Sequence, residues 1–227
     1  MCGKTTDCAS LRLMTPLERS GQCGIGPESI DGYNRSVLEP ELVLNAYRRG
    51  IFPMAVGERG RIGWFSPDPR AVIPLDERFH IPHGLRRVWQ RKKFEITFDT
   101  DFPAVVHECA QRKEGTWISP GISKCYCQLH QLGHAHSVEA RLEGKLVGGL
   151  YGVALEGAFF GESMFHRATD ASKVALVALV ERLRTSGFVL LDTQWTTPHL
   201  QQFGTFEIPR TEYLWRLEHA LKLECKF

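Results

Sequence analysis

The chain has 227 residues, enough for one large domain or two smaller ones, and its 43% hydrophobic and 24% charged content is ordinary for a soluble globular protein. The formal net charge is +2, so global charge selects no partner, although local charge can. No apolar run reaches the roughly 20 residues of a membrane span, and the opening "MCGKTTDCASLRLM" lacks the basic flank and continuous apolar core of a secretory signal. The expectation is a cytoplasmic protein without membrane attachment. Seven cysteines, odd in number and irregular in spacing, read as free thiols. Three of them, Cys2, Cys8 and Cys23, fall in a leader over residues 1–35 that carries no sustained period and is expected to be poorly ordered.

In chain order, "EPELVLNAYRRG" reads as a short helix with Pro40 in its first turn and Gly50 as its stop. "RIGWFSPDPRAVIPL" predicts short strands broken by a turn at Ser66 to Pro69, and "HGLRRVWQRKK" a basic helix. "FEITFDT" alternates like a strand. "DFPAVVHECAQR" and "SPGISKCYCQLHQLG" read as helices capped by Asp101 and Ser119. "HSVEARLEG" and "KLVGGLYGVALEG" form a hairpin around Glu143 and Gly144, with "AFFGESMF" as a third strand. "DASKVALVALVERLRTSG" is the strongest helix, with Asp170 as its cap and Gly187 as its end. "FVLLDTQW" is apolar enough for a central strand, and "TPHLQQFG" and "RTEYLWRLEHALKL" close the chain as helices. A strand meander leading into a helix and a further strand predicts α/β layering. Residues 1–80 read as a small N-terminal domain and residues 81–227 as the larger one.

Two places concentrate candidate chemistry. On the third strand, alternation puts Phe160, Glu162 and Met164 on one face, where a carboxylate is costly to desolvate. Glu162 is either a solvated glutamate on an edge strand or an acid in an apolar pocket that holds a cation. At the end of "VLLDTQW", Asp192 and Gln194 face the same way with Thr193 opposed. Ligands bind at the carboxyl ends of such strands, and the pair either polarises a proton on an attacking amine or caps the next helix. The intervening loop "HRATDASK" has no glycine and includes Asp170, which disfavours a diphosphate cradle. Arg86, Arg87, Arg91, Lys92 and Lys93 form a basic cluster that is either a solvated face or a phosphate contact. "CYCQLHQLGHAH" is too tightly spaced in its C-x-C for the common zinc pattern, and nothing marks Cys109 with His107 as an activated pair. No metal is expected.

Several stretches together resemble the bacterial leucyl/phenylalanyl-tRNA–protein transferases: "AYRRGIFP" (46–53), "WFSPDPRAV" (64–72), "GTWISP" (115–120), "LHQLGHAHSVE" (129–139), "LVGGLYGVA" (146–154), "FFGESMFHRATDASKVAL" (159–176), "LLDTQ" (190–194) and "FGTFEIPR" (203–210). The resemblance implies an N-acetyltransferase-like (GNAT) acyltransferase fold behind a small N-terminal domain. It also implies transfer of Leu or Phe, with Met as a third donor, from aminoacyl-tRNA to proteins with N-terminal Arg or Lys, marking them for degradation. The tRNA carries the activated acyl group, so no cofactor is implied, and a monomer is expected. Residue by residue, Asp192 acting through Gln194 would activate the amine, and Glu162 would lie near a cationic amine. Leu150, Phe159, Met164 and Leu191 would line a slot for an apolar side chain. Trp117 would stack on the terminal adenosine, and the cluster from Arg86 to Lys93 would meet tRNA phosphates. Where the family usually has Trp after "GIFP" this chain has Met54, with Trp64 as the remaining aromatic on that side. Phe65, Thr193 and His166 are further departures. The competing readings are an acetyl-coenzyme A-dependent N-acetyltransferase and a non-catalytic RNA-binding protein.

Overall fold

The computed structural model describes residues 38–57, 60–112 and 115–227. The leader over residues 1–35, with Cys2, Cys8 and Cys23, lies outside the described residues. Helix α1 (Pro40–Tyr47) starts on its proline and is followed by Gly50 at φ +72°. A hairpin of β1 (Phe52–Val56) and β2 (Arg61–Phe65) forms its own two-stranded sheet. Next come β3 (Arg70–Ile73), α2 (His83–Gln90), β4 (Glu95–Phe98), α3 (Phe102–Ala110) and α4 (Pro120–Gln131). The meander follows as β5 (Ala135–Leu142), β6 (Lys145–Leu155) and β7 (Ala158–His166). The chain closes with α5 (Ala171–Thr185), β8 (Leu190–Gln194), α6 (Pro198–Gln201), β9 (Phe206–Ile208) and α7 (Arg210–Ala220). No described helix is long and apolar enough to cross a membrane.

Seven strands form the main sheet in the order β4-β5-β6-β7-β8-β3-β9. Every pairing is antiparallel except β7 with β8, which are joined through α5. This is the α/β layering expected from the sequence pattern. Strand β3 comes from the stretch assigned by sequence to the small domain, yet it lies between β8 and β9 in the large sheet. The β5–β6 turn matches its sequence signal, since Glu143 (φ +51°) and Gly144 (φ +74°) both take the left-handed conformation that a two-residue hairpin turn requires.

One apolar layer covers each face. Tyr47, Phe102, Ile122, Tyr126, Tyr151, Phe160 and Tyr213 belong to the layer beneath α1, α3, α4 and α7. Leu150, Phe159, Leu191 and Leu85 belong to the layer beneath α5 and α2. Helix α5 is buried along residues 174–180 without interruption, a wider contact than the stripe of Val174, Ala178, Leu179 and Leu183. Its small residues permit this. Ala171 lies so close to Gly148 that a Cβ on Gly148 would meet the Ala171 Cβ at 2.5 Å.

Two expected caps differ in the structure. Ser119 caps α4 through its Oγ, which accepts from the Ile122 N–H at 3.3 Å. Asp101 and Asp170 make no such bond. The buried Glu139 carboxylate accepts the Asp101 N–H instead (3.4 Å), so α3 is capped from the neighbouring strand. Asp170 adopts φ +70° and pairs with Lys173.

Of three register shifts in the sheet, at Ala140/Arg141, Tyr151/Gly152 and Ala71/Val72, the last two lie beside the polar residues singled out by sequence. Between β6 and β7, Tyr151 pairs with Ser163 and Gly152 with Gly161, leaving Glu162 as the extra residue. Between β3 and β8, Val72 pairs with Asp192 and Ala71 with Gln194, leaving Thr193 extra. Each extra residue resets the alternation of its strand. The strands at the first bulge touch closely: a Cβ on Gly152 would lie 2.3 Å from the Phe160 carbonyl oxygen. Gly152→Ala is therefore expected to destabilise the protein by at least about 2 kcal/mol, measured by denaturant unfolding, because the contacting atom is backbone and cannot rotate aside.

Candidate active site

Strands β7 and β8 pair only as far as Phe160 with Asp192. Beyond that point β7 continues alongside β6 to His166, whereas β8 ends at Gln194. The polar residues singled out by the sequence sit where the pairing stops. Although β7 is an interior strand, at Glu162 it is paired with β6 alone, and the side chain is held by tyrosines and not left in solvent.

The bulge at Glu162 decides what it faces. Phe160 and Glu162 share a face, because Phe160 packs on Tyr47 (ring centroids 4.7 Å apart) and Glu162 is bonded to the same tyrosine. Met164 does not share that face. It packs with the layer beneath α5, which corrects the simple alternation read from the sequence. The Glu162 carboxylate accepts from Tyr47 Oη at 2.5 Å and Tyr126 Oη at 3.1 Å, and the two hydroxyl oxygens are themselves 2.5 Å apart. Two hydroxyl protons must serve three close contacts while Glu162 is ionised, and a protonated Glu162 supplies the third. Burial raises the Glu162 pKa to about 7 against the opposing pull of the two tyrosine bonds. Burial and the neighbouring carboxylate hold both tyrosines protonated. On the same stretch of β7, Arg112 Nη2 donates to Ser163 Oγ at 2.7 Å.

Asp192 is fully buried and every lone-pair direction is occupied. Oδ1 accepts from Arg70 Nε (2.9 Å) and from the Gln194 backbone N–H (2.9 Å). Oδ2 accepts from Arg70 Nη2 (2.6 Å) and Tyr213 Oη (2.9 Å). Both partners of the Arg70–Asp192 ion pair are 0% exposed. Gln194 has φ +60°, a conformation that costs a non-glycine residue about 1–2 kcal/mol. The bond from its N–H to Asp192 holds it there. Its buried Nε2 has no partner among the described residues. Asp192 and Gln194 therefore do not cap the next helix, a role taken by Thr197.

Against this geometry, a family model described as leucyl/phenylalanyl-tRNA protein transferase matches residues 72–218, and that of its N-terminal domain matches residues 37–68. Leucyl/phenylalanyl-tRNA–protein transferases from Akkermansia muciniphila and Herpetosiphon aurantiacus are 60% and 57% identical. The first alignment covers 82% of this chain and 97% of the relative, the second 84% and 98%. The chain belongs to the leucyl/phenylalanyl-tRNA–protein transferase family. Among solved structures, L-PGS from Bacillus licheniformis has a TM-score of 0.39 at 16% identity, covering 72% of this chain and 55% of that one. A ribosomal-protein-alanine N-acetyltransferase from Brucella melitensis has a TM-score of 0.36 at 16% identity, covering 48% and 84%.

In this family member the remaining residues singled out by sequence fall into three groups. Leu150, Phe159 and Leu191 are buried in the layer beneath α5, with Met164 packed against it. They lie across the sheet from the tyrosines that hold Glu162. Met54, Trp64 and Trp117 lie together on the other side. Met54 is buried at 8% exposure, Trp64 and Trp117 are half-buried, and the Ala55 N–H donates to the Trp117 carbonyl (3.1 Å). Trp195, which the sequence pattern did not single out, adds an edge-on contact to Phe52 at 5.2 Å. The basic residues Arg86, Arg87, Arg91, Lys92 and Lys93 are all exposed, on α2 and just after it. They are on the α5 side of the sheet. Cys109 is buried, which raises its thiol pKa to about 12 and leaves it unsuited to nucleophilic work.

Sequence reasoning missed Arg70, Tyr47, Tyr126 and Tyr213. Each comes from an element other than the strand it serves, and only "WFSPDPRAV" and "AYRRGIFP" carried a local hint, through the resemblance.

The pKa of Glu162 gives a signed expectation. Folding raises it from 4.5 to about 7, so the folded state holds an extra proton between those values. Stability is greatest below pH 4.5 as far as this group is concerned, falls as pH rises to about 7, and is flat above. Replacing Glu162 by Gln should remove this component, on the order of 3 kcal/mol, from the pH dependence of unfolding. Tyr47→Phe deletes a bond that lowers the pKa and should move the same transition to higher pH.

Proposed function

We propose that the protein moves leucine or phenylalanine, with methionine as a third donor, from aminoacyl-tRNA to the N-terminal Arg or Lys of an acceptor protein, acting as a cytoplasmic monomer and marking the acceptor for degradation. The observation that carries this reading is that Glu162 and the strained Gln194 both lie where β7 and β8 stop pairing, beside the buried Asp192.

The chemistry is attack by an α-amine on the ester that links the amino acid to the terminal ribose. The C–N bond forms, the C–O bond to the ribose breaks, and a proton passes from the amine to the departing ribose oxygen. An amine arrives mostly as ammonium at neutral pH and must lose a proton before it attacks. Ionised Glu162, between two tyrosine hydroxyls, attracts such a cation. Gln194 faces the amine with its side-chain amide and orients it at the ester carbon. Asp192 acts through Gln194 by fixing its backbone. The donor side chain passes between β7 and β8 toward Leu150, Phe159, Leu191 and Met164. Such a slot suits a side chain branched beyond Cβ, and Met164 lends it adaptability. Trp117 and Trp64 receive the terminal adenosine, with Met54 packed behind them; base stacking of this kind is worth about 1–3 kcal/mol.

Phosphate binding has two candidate surfaces. The α2 cluster is exposed, but behind the sheet. Arg48, Arg49 and Lys124 are exposed on the segments that carry Tyr47 and Tyr126. Replacing Arg91, Lys92 and Lys93 by Glu should weaken tRNA binding and reduce the slope of log K against log salt by about one for each phosphate released. If only the Arg48, Arg49 and Lys124 set changes the slope, the α2 assignment is wrong.

A donor scan tests the reaction itself. Purified protein, a peptide beginning with Arg and a panel of charged tRNAs should yield peptide extended by Leu or Phe, with Val and Ile at least about tenfold slower, the discrimination expected of a shape-selective apolar slot. Modification of the peptide by acetyl-coenzyme A and not by any aminoacyl-tRNA would replace this reading with the acetyltransferase one.

A further inference from the structure

We infer that Arg70 is the positioning residue of the transfer reaction, setting the spacing between Glu162 and Gln194 through a clamp that leaves Asp192 unable to act as a base. The inference rests on the reaction proposed above and adds a residue and a role to it.

Arg70 reaches three places at once. Its Nε and Nη2 take both oxygens of Asp192, and its Nη1 donates to the Gly50 carbonyl at 3.1 Å. Its guanidinium lies 4.9 Å from the centre of the Phe52 ring and 4.5 Å from that of Tyr213. Gly50 follows α1, three residues after Tyr47, and Tyr47 is bonded to Glu162. Asp192 in turn holds Gln194 at φ +60°. A single planar cation therefore links the segment that sets Glu162 to the residue that sets Gln194. Planarity matters, because a lysine has no fork to span both carboxylate oxygens and a carbonyl.

The same contacts constrain Asp192. Four donors occupy its two oxygens, so accepting a proton from an amine requires breaking one of those bonds. Glu162, by contrast, has tyrosine partners and a partial opening to solvent.

Three variants and two measurements test this. The variants are Arg70→Lys, Asp192→Asn and the double substitution Arg70→Gln with Asp192→Asn. The measurements are single-turnover transfer across pH and amide hydrogen exchange at Gln194. In Arg70→Lys the charge pair survives but the fork does not. We expect kcat to fall at least about tenfold with KM for aminoacyl-tRNA within about twofold, and Gln194 exchange to accelerate. Asp192→Asn alone strands a buried cation and should lose at least about a hundredfold in transfer. The double variant removes both charges while its Asn oxygen still accepts the Gln194 N–H, so transfer should rise at least about tenfold above Asp192→Asn, with its acid limb unmoved, but stay no higher than Arg70→Lys because the fork is gone. A folded double variant no more active than Asp192→Asn, or an Arg70→Lys protein with native kcat and native Gln194 exchange, overturns the inference. Should the native protein transfer nothing from tRNA, the reaction reading fails, and the exchange arm still decides whether Arg70 holds Gln194.

Discussion

A buried ion pair between Arg70 and Asp192 is the constraint on which the rest of the site depends. Neither side chain reaches solvent, so each would be strongly unfavourable without the other. Removing one partner of such a pair costs about 3–5 kcal/mol. The pair is tolerable because its bonding is complete: the carboxylate has four donors, and the guanidinium adds a carbonyl and two aromatic rings. Satisfied polar clusters of this kind rigidify what they touch. Here they touch the segment after α1, the end of β8 and the start of α7, which are far apart in sequence and adjacent at the parting of the sheet.

Glu162 occupies a different electrostatic setting a short distance along the same sheet. Its neighbours are neutral hydroxyls and rings, so burial dominates and its proton affinity rises. One carboxylate is held by four donors against a buried guanidinium, while the other has a pKa raised by burial to about 7. Environment alone creates this division, since both groups begin as ordinary carboxylic acids.

Much of the fold was legible in the sequence. Pro40 and Gly50 bracket α1, the Glu143–Gly144 turn closes the hairpin, and the unbroken apolar run of α5 marks a buried helix. Glu162, Asp192 and Gln194 were also legible, because a carboxylate in an apolar run and a polar end to an apolar strand are local anomalies. The partners of those residues were not. Tyr47, Tyr126, Arg70 and Tyr213 are ordinary helix or strand residues until the chain closes, and separations of 115 residues for Tyr47 with Glu162 and 122 for Arg70 with Asp192 lie beyond any local pattern. The bulges were equally hidden. Period-two reasoning placed Met164 beside Glu162, whereas one extra residue sends it through the sheet. Asp101 and Asp170 had the right chemistry for caps but other demands on them: Glu139 serves α3 from β5, and Asp170 is engaged with Lys173.

The two extra residues, Glu162 and Thr193, carry a consequence for how such a site persists. Each stands opposite no partner, so a chain shortened by one residue at either position could close a more regular ladder. That tidier sheet would lose the acid at the first point and turn the glutamine to the other surface at the second. Irregularity at these two points is thus what sets which surface each of these polar groups meets.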